Sequence, residues 1–330
     1  MRLLITGAFG NVGQIVIKEA FNRGHEIVVF EVENKRTLKT TKKLRSKLKN
    51  VIFGDIRNFE DIKKAVQDCD GVIHLAAILP PFSKRHRELT MDVNYGGTMN
   101  LINSINETNR EIVLVFTSSA SVMGPTQFQN RLVTRQDPLV VTGNYEESKI
   151  KCEEFLKENA DNYLIFRLAG VLPEFSFSAF SGSFSAMEEL FDMHPDMRLE
   201  MIKAKDVATA IVTGVEKLKE GTTPKNQAYI LGGGKQNGWQ LTGREFVTRM
   251  FSAMSMHVPD TKYFTSDINT YHLDWYDTKE AQQEFEFQNH TMEKHFKQMK
   301  KKFRIVKLPI ILFRGCINKK LVKMSPYNKD

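Results

Sequence analysis

Ile5-Thr6-Gly7-Ala8-Phe9-Gly10-Asn11-Val12-Gly13 decides how this chain is read, because an apolar strand (Leu3 to Ile5) precedes the glycines and a helix-like run (Val12 to Phe21) follows them. Each glycine has its own use in that setting. Gly7 permits a tight turn out of the strand, Gly10 lets backbone approach a ligand with no Cβ in the way, and Gly13 lets the helix pack closely on the sheet. Free N–H groups and the positive end of the helix then face an anion, which is what a dinucleotide pyrophosphate requires. In a chain with 20 glycines an ordinary glycine-rich turn is the competing reading. Strand, glycines and helix in register favour the nucleotide site.

The next apolar run, His25 to Glu31, ends on a carboxylate 18 positions after Gly13. A carboxylate there can accept both ribose hydroxyls of an adenosine and would repel a 2′-phosphate, so Glu31 favours NAD over NADP. Lys35 to Lys49 argues the other way, with eight Lys or Arg and no acid. Arg36 could meet a phosphate, although such charge runs are usually solvated loops or helix faces. NAD is the expected cofactor.

Beyond this unit, strand and helix signals alternate. Strands are expected at Arg2 to Thr6, Glu26 to Glu31, Val51 to Phe53, Gly71 to Leu75, Glu111 to Phe116, Tyr163 to Leu168 and Ala228 to Leu231. Helices are expected at Val12 to Asn22, Phe59 to Asp68, Glu88 to Ile105, Tyr145 to Glu158 and Lys205 to Leu218. Such alternation makes an α/β fold, a doubly wound parallel sheet covered on both faces, with ligands beyond the carboxyl ends of the strands. The pattern weakens over Leu172 to Lys203 and Gly232 to Asp330, which are rich in Phe, Met, Ser and His. Residues 172–203 with 232–300 are expected to form a small substrate lobe, beside a dinucleotide domain of residues 1–171 with 204–231.

At 330 residues and 41% hydrophobic the chain can bury a substantial core, and no run of 18 apolar residues is available to span a bilayer. The first strand begins at once, which leaves no room for a signal peptide. Cys69, Cys152 and Cys316 show neither metal spacing nor a paired framework, so no metal site and a cytoplasmic setting are expected. The net charge of +8 is local, since residues 300 to 330 hold ten Lys or Arg against one Asp and the rest sums to −1. Nucleic-acid binding is disfavoured, because the charge sits in two segments without an aromatic platform. The basic tail, residues 301–330, also contains Leu308-Pro309-Ile310-Ile311-Leu312-Phe313. This patch either makes a weak contact with an anionic membrane surface or packs on the body while the lysines stay in water; packing is the expectation.

Chemistry is concentrated after the fifth strand, in Thr117-Ser118-Ser119-Ala120-Ser121-Val122-Met123-Gly124, and 26 positions beyond Ser119, in Tyr145-Glu146-Glu147-Ser148-Lys149. On a helix Lys149 lies one turn from Tyr145, and its ammonium can depress the phenol's pKa, helped by a positive nicotinamide ring. Among eight tyrosines, about one Tyr-x-x-x-Lys is expected by chance. What lifts this one is the serine cluster before it and the glycine turn that opens the chain. Together they supply a proton acceptor, an oxygen orienter and a hydride carrier.

With these motifs the sequence resembles the extended short-chain dehydrogenase/reductase family, the NAD-dependent epimerase/dehydratases typified by UDP-glucose 4-epimerase. The resemblance runs to about residue 231 and implies a Rossmann domain with a small C-terminal substrate lobe. It places Ser119, Tyr145 and Lys149 on the catalytic triad, the last two also touching the cofactor. The pyrophosphate turn implies contacts from Gly7, Phe9, Gly10, Asn11, Val12 and Gly13, with Glu31 on the ribose. Gly54-Asp55-Ile56-Arg57 implies that Asp55 and Ile56 reach the adenine. Leu75, Ala76 and Ala77 of Val72-Ile73-His74-Leu75-Ala76-Ala77 are implied to lie along the cofactor, together with Asn94 and Thr117, while His74 is expected to pack under the sheet edge. Lys205-Asp206-Val207-Ala208 matches a late helix start of the family. Family members commonly dimerise through the helices expected at Glu88 to Ile105 and Tyr145 to Glu158, which implies a homodimer.

Departures from the family bear on substrate. Ala120-Ser121 stands where dehydratases carry an Asp-Glu pair, so water elimination lacks its proton donor. Leu168-Ala169-Gly170 follows Arg167 without the Asn that holds the diphosphate in sugar-nucleotide members. The expected activity is NAD-dependent hydride transfer to or from a hydroxyl- or keto-bearing carbon of a small molecule, a sugar or nucleotide sugar included. An NAD(P)H-dependent reductase of a small carbonyl compound and a non-catalytic NAD(P)-sensing protein are the rivals.

Overall fold

In the computed structural model, which describes residues 1–172 and 189–328, the expected alternation becomes seven parallel strands in the order β3-β2-β1-β4-β5-β6-β9. The strands are β1 (Arg2–Thr6), β2 (Glu26–Glu31), β3 (Asn50–Phe53), β4 (Gly71–His74), β5 (Val113–Ser119), β6 (Tyr163–Leu168) and β9 (Gln227–Leu231). In β1 to β6 the residues divide by parity. Leu3, Ile5, Ile27, Val29, Val113, Val115, Leu164 and Phe166 enter one apolar cluster, and Leu4, Val28, Phe30, Leu114, Phe116, Tyr163 and Ile165 enter another. Successive side chains of a strand point to opposite faces, so a one-residue slip would exchange the two sets. Since both sets are apolar, both faces must be covered.

Two helices cover the first face, α1 (Gly13–Asn22) through Val16, Ile17 and Ala20 and α8 (Ala204–Glu220) through Val207, Ile211 and Val215. The second is covered by α3 (Phe59–Val66), α6 (Gly97–Asn106) and α7 (Asn144–Asn159). After β3 the chain returns to place β4 on the far side of β1. The strand order reverses at that point, and the crevice beyond the ends of β1 and β4 is where such folds take ligands.

The helix expected at Glu88 to Ile105 is interrupted. Short helices α4 (Phe82–Arg85) and α5 (Arg87–Thr90) lead into π-helical turns at Met91–Gly96 before α6 begins. The wide turns centre on Asn94, whose carbonyl accepts from Thr98 Oγ1 at 2.5 Å and Cys152 Sγ at 3.3 Å. The run of bases after β2 begins as a helix, α2 (Lys35–Leu44), with a reciprocal cap between Asn34 and Thr37.

A three-stranded sheet, β10-β8-β7, lies outside the main one: β7 (Gly170–Leu172), β8 (Arg198–Lys203) and β10 (Gln240–Thr242). It borders a third apolar cluster with Phe191, Leu199, Trp239 and Phe251, to which α9 (Gly243–Ala253) and α11 (Met292–Phe303) contribute. The remaining helix of this region, α10 (Lys279–Phe285), packs instead on the first cluster through Ala281 and Phe285. Two buried acids tie the segment before α10 down. Glu200 accepts from Gln240 Nε2 at 2.9 Å and from the N–H groups of Gly234 and Tyr276 at 2.9 and 3.0 Å, and burial pushes its pKa up to about 7. Asp274 accepts from Thr126 Oγ1 at 2.7 Å and pairs with Arg198 at 2.8 Å. Those anchors set the path of residues 267–273, which reach the main cleft.

The basic C-terminal stretch is helical, with α12 (Lys307–Leu312) and α13 (Arg314–Val322) after α11. Phe303 and Leu321 are buried in the third cluster with Val306 and Ile310 packed against it, whereas Ile305, Leu308, Leu312 and Phe313 face solvent. Of the apolar patch Leu308 to Phe313, Ile310 alone packs on the body, so the expected packing does not hold for the rest. Among the described residues no helix is long and apolar enough to cross a membrane.

Candidate active site

A cleft of about 1110 Å³ opens over the carboxyl ends of β1, β2, β4, β5 and β6. All of the residues singled out from the sequence as catalytic or cofactor-binding line it, except Asp55 and Asn94. Gly7 sits at φ +65°, where a Cβ would lie 2.6 Å from the Ala76 nitrogen and 2.7 Å from the Leu75 carbonyl carbon. The close passage of β1 past the end of β4 therefore admits glycine alone. A Cβ on Gly13 would meet the Ala8 oxygen at 2.5 Å, whereas one on Gly10 would meet nothing nearer than 3.2 Å, which leaves the Gly10 backbone open to the cleft. At the end of β2 the Glu31 carboxylate accepts from the Phe9 N–H at 2.8 Å, and burial raises its pKa. Arg36 lines the same end of the cleft.

Ser119 ends β5, and Tyr145 and Lys149 share a face of the first turns of α7. The phenol of Tyr145 lies close enough to Ser119 for that hydroxyl to lower its pKa. From Ser119 Oγ a chain continues to Ser121 Oγ at 2.9 Å, which donates to Glu146 Oε1 at 2.9 Å. Two serine hydroxyls thus lead from beside the phenol to a carboxylate on the cleft wall. Lys149 is buried, donates from Nζ to the Thr117 carbonyl at 2.8 Å and lies 4.6 Å from the centre of the Phe116 ring.

The electrostatics differ from the sequence expectation. Burial, then the Glu146 charge, push the Tyr145 phenol well above its ordinary pKa, against a smaller lowering by Ser119. Burial brings Lys149 down to about 8. Removal of water disfavours the charged form of both groups, and the ammonium is turned to a backbone carbonyl. Burial and the Glu146 charge therefore keep the proton on Tyr145.

Asp55 is spent elsewhere: it accepts from the Arg57 guanidinium at 2.5 Å and from the Arg57 N–H at 3.0 Å, so Gly54 and Ile56 line the cleft in its place. Asn94 is buried as a clamp, accepting from the Ile78 N–H at 2.7 Å and donating to the Ile78 carbonyl at 3.1 Å and Ser148 Oγ at 3.0 Å. It shapes the cleft by fixing the loop after β4. His74, as expected, is buried, bonded to Thr6 at 2.6 Å and Thr98 at 2.9 Å, and burial takes its pKa down to about 3.

Several cleft residues were not singled out from the sequence. Ser121 and Glu146 stood inside the quoted motifs, where their two-residue and one-residue offsets from Ser119 and Tyr145 could have marked them. Lys84, Glu189, Asp267, Tyr271 and His272 also line the cleft, and no local signal announces them. The buried hydroxyl of Ser118, also at the cleft, has no hydrogen-bond partner among the described residues. An orphaned donor beside an open glycine turn and a half-engaged carboxylate fits a dinucleotide, since each can be satisfied by its phosphates or hydroxyls.

Fold and cleft together define the class, an α/β enzyme of nicotinamide-dinucleotide chemistry. Residues 4–166 match the 3-beta hydroxysteroid dehydrogenase/isomerase family. The chain is 25% identical over 277 residues, 79% of its length and 72% of the relative's, to a 3-beta-hydroxysteroid dehydrogenase of Mycolicibacterium neoaurum. It is 28% identical over 155 residues to the CDP-paratose 2-epimerase of Salmonella typhi, a match that spans 45% of this chain and 46% of that one. Among solved structures it is similar to a UDP-glucose-4-epimerase from Stenotrophomonas maltophila with bound NAD and formylated UDP-arabinopyranose, at a TM-score of 0.74 and 18% identity, covering 94% of this chain and 99% of the other. The chain thus carries the family's likeness over residues 4–166 and shares the fold of the NAD-dependent epimerase/dehydratase structures over nearly its whole length. It is an NAD-dependent oxidoreductase or epimerase.

Proposed function

We propose that this enzyme moves a hydride at a hydroxyl- or keto-bearing carbon of an uncharged, largely apolar substrate, the class to which hydroxysteroids belong, with NAD in preference to NADP. The observation that carries the substrate class is the charge of the cleft away from Glu31 and Arg36: Glu146, Glu189 and Asp267 stand there against the buried Lys149 and Lys84, which is itself 3.6 Å from Asp192. A diphosphate would meet net negative charge, whereas Ile78, Leu79, Pro80, Val171 and Leu273 offer apolar contact. The 3-beta-hydroxysteroid dehydrogenase relative supports the same reading.

Gly7 to Gly13, Leu75 to Ala77 and Ser118 would hold the dinucleotide, with Glu31 at its ribose, where the carboxylate opposes a 2′-phosphate. When bound, it supplies the acceptor or donor of the hydride. Tyr145 exchanges the proton of the substrate oxygen, and Ser119 bonds the same oxygen as charge develops on it. Lys149, held near half-protonation at about pH 8, contributes positive charge that favours the phenolate. The Ser119-Ser121-Glu146 chain lets the phenol proton leave towards solvent. In this reading residues 1–171 with 204–231 bind the dinucleotide and the remainder encloses the substrate. A homodimer through α6 and α7 belongs to it as well, tested by sedimentation equilibrium. A reducing, cytoplasmic setting accords with three free cysteines, one of them exposed.

The test is turnover by the purified chain with NAD, on neutral secondary alcohols including hydroxysteroids and, separately, on UDP- and dTDP-hexoses, with products separated by chromatography. Dinucleotide reduction with the neutral alcohols and no change in the sugar nucleotides is expected. Epimerisation or oxidation of a sugar nucleotide, with the alcohols untouched, overturns the substrate class.

A further inference from the structure

From Lys294 to Lys329 the chain carries twelve Lys or Arg and no Asp or Glu. Within that stretch Ile305, Leu308 and Leu312 follow at intervals of three and four, which stacks them along one side of the helical turns. They are 89, 68 and 70% exposed, and Phe313, at the end of α12, is 62% exposed. The opposite side is anchored: Val306, Ile310, Met324 and Tyr327 pack on the third apolar cluster, and Tyr327 donates to Asp192 at 2.8 Å. A folded platform therefore holds four large apolar side chains in water, with Lys301, Arg304, Lys307 and Arg314 beside them in sequence. Single exposed apolar residues are ordinary, but a contiguous row marks a contact surface.

We propose that α12 and the start of α13 dock on an anionic lipid bilayer, with the apolar row in the headgroup boundary and the surrounding bases on lipid phosphates. Charge selects this occupant. A second copy placed on the row by a two-fold axis would bring two acid-free basic stretches together, which is repulsive. A polynucleotide would satisfy the bases and leave the row in water. An anionic interface satisfies both, each Lys or Arg near the surface adding roughly fivefold to partitioning and each buried methylene more. α12 is six residues long, so it lies in the interface and does not cross it.

The experiment is sedimentation of the full chain with vesicles of phosphatidylcholine alone or mixed equally with phosphatidylglycerol. A Leu308→Ser/Leu312→Ser/Phe313→Ser variant and a Lys301→Glu/Arg304→Glu/Lys307→Glu variant are compared, with melting temperatures confirming that they fold. The wild-type chain is expected to sediment with the mixed vesicles and not with phosphatidylcholine. The serine variant should lose roughly tenfold or more of that binding and the glutamate variant roughly a hundredfold or more. Absence of wild-type binding to mixed vesicles, or equal binding by the serine variant, overturns the proposal. So does a wild-type dimer in solution that the serine variant converts to a monomer.

Discussion

Glu146→Gln separates charge from hydrogen bonding, because glutamine still offers an oxygen to Ser121 but no longer opposes a phenolate. The carboxylate lies two contacts of 2.9 Å from Ser119 Oγ, the hydroxyl that lowers the pKa of the Tyr145 phenol. A separation of about 7 Å at an effective dielectric of about 20 gives about 2.4 kcal/mol, or about 1.7 pKa units, and water in the open cleft reduces this to about one unit. The sign follows from the charge. Glu146 destabilises the phenolate and raises the phenol's pKa, so its neutralisation lowers that pKa. In alcohol oxidation kcat/KM rises as Tyr145 deprotonates, and that limb should move to lower pH by about one unit. The assay is the pH profile of kcat/KM for both proteins, with NAD affinity as the control. A limb that stays in place, or moves to higher pH, refutes the reasoning. Glu146→Ala removes the acceptor as well and should lower kcat in addition.

Glu31→Gln keeps an acceptor for the Phe9 N–H while removing the repulsion of a 2′-phosphate, so the NADP-to-NAD affinity ratio should rise roughly tenfold in a fluorescence titration; an unchanged ratio counts against Glu31 as the selector. Glu153 and Arg167 form a buried pair at 2.7 Å, and Glu153→Gln should cost about 3–5 kcal/mol in urea unfolding, since it leaves a buried guanidinium without its counter-charge. A loss below about 1 kcal/mol would show the pair to be dispensable. His74 is held near pKa 3 in the folded chain against about 6.5 when unfolded, so the folded state binds fewer protons. Its contribution is complete above about pH 6.5 and declines by about 1.4 kcal/mol for each unit below that, down to about pH 3. His74→Gln, with Thr6 and Thr98 still within reach, should flatten the acid limb of a stability-versus-pH curve; an unaltered limb would disprove the assignment.

Most of the dinucleotide half was legible in the sequence because its constraints are local. β1, β2 and β6 run where their apolar stretches do, and Glu31 closes β2 as the 18-residue spacing from Gly13 implied. Ser119, Tyr145 and Lys149 converge because a strand end and a helix face are fixed by period alone. What escaped depends on tertiary partners. Asp55 and Asn94 are polar residues with a nearer option, an adjacent guanidinium and a loop backbone, and no pattern reveals which they take. β7 and β10 are three residues long, too short to display alternation. Tyr271 and His272 arrive at the cleft because Glu200 and Asp274, far apart in sequence, grip the segment around them. The raised pKa of Tyr145 escaped for the same reason, since burial outweighs a lysine one turn away.

Tyr145→Phe removes a single oxygen from the cleft and leaves Gly7 to Gly13, Glu31 and Lys149 untouched. Single-turnover hydride transfer between NAD and the substrate found by the neutral-alcohol panel, measured beside NAD affinity, is the most direct measurement available. The expected result is dinucleotide binding close to that of the wild-type chain and hydride transfer slower by roughly a thousandfold, within the range that a positioned acid or base contributes. Transfer at a near wild-type rate would mean that the phenol does not handle the proton, and the central claim would fall.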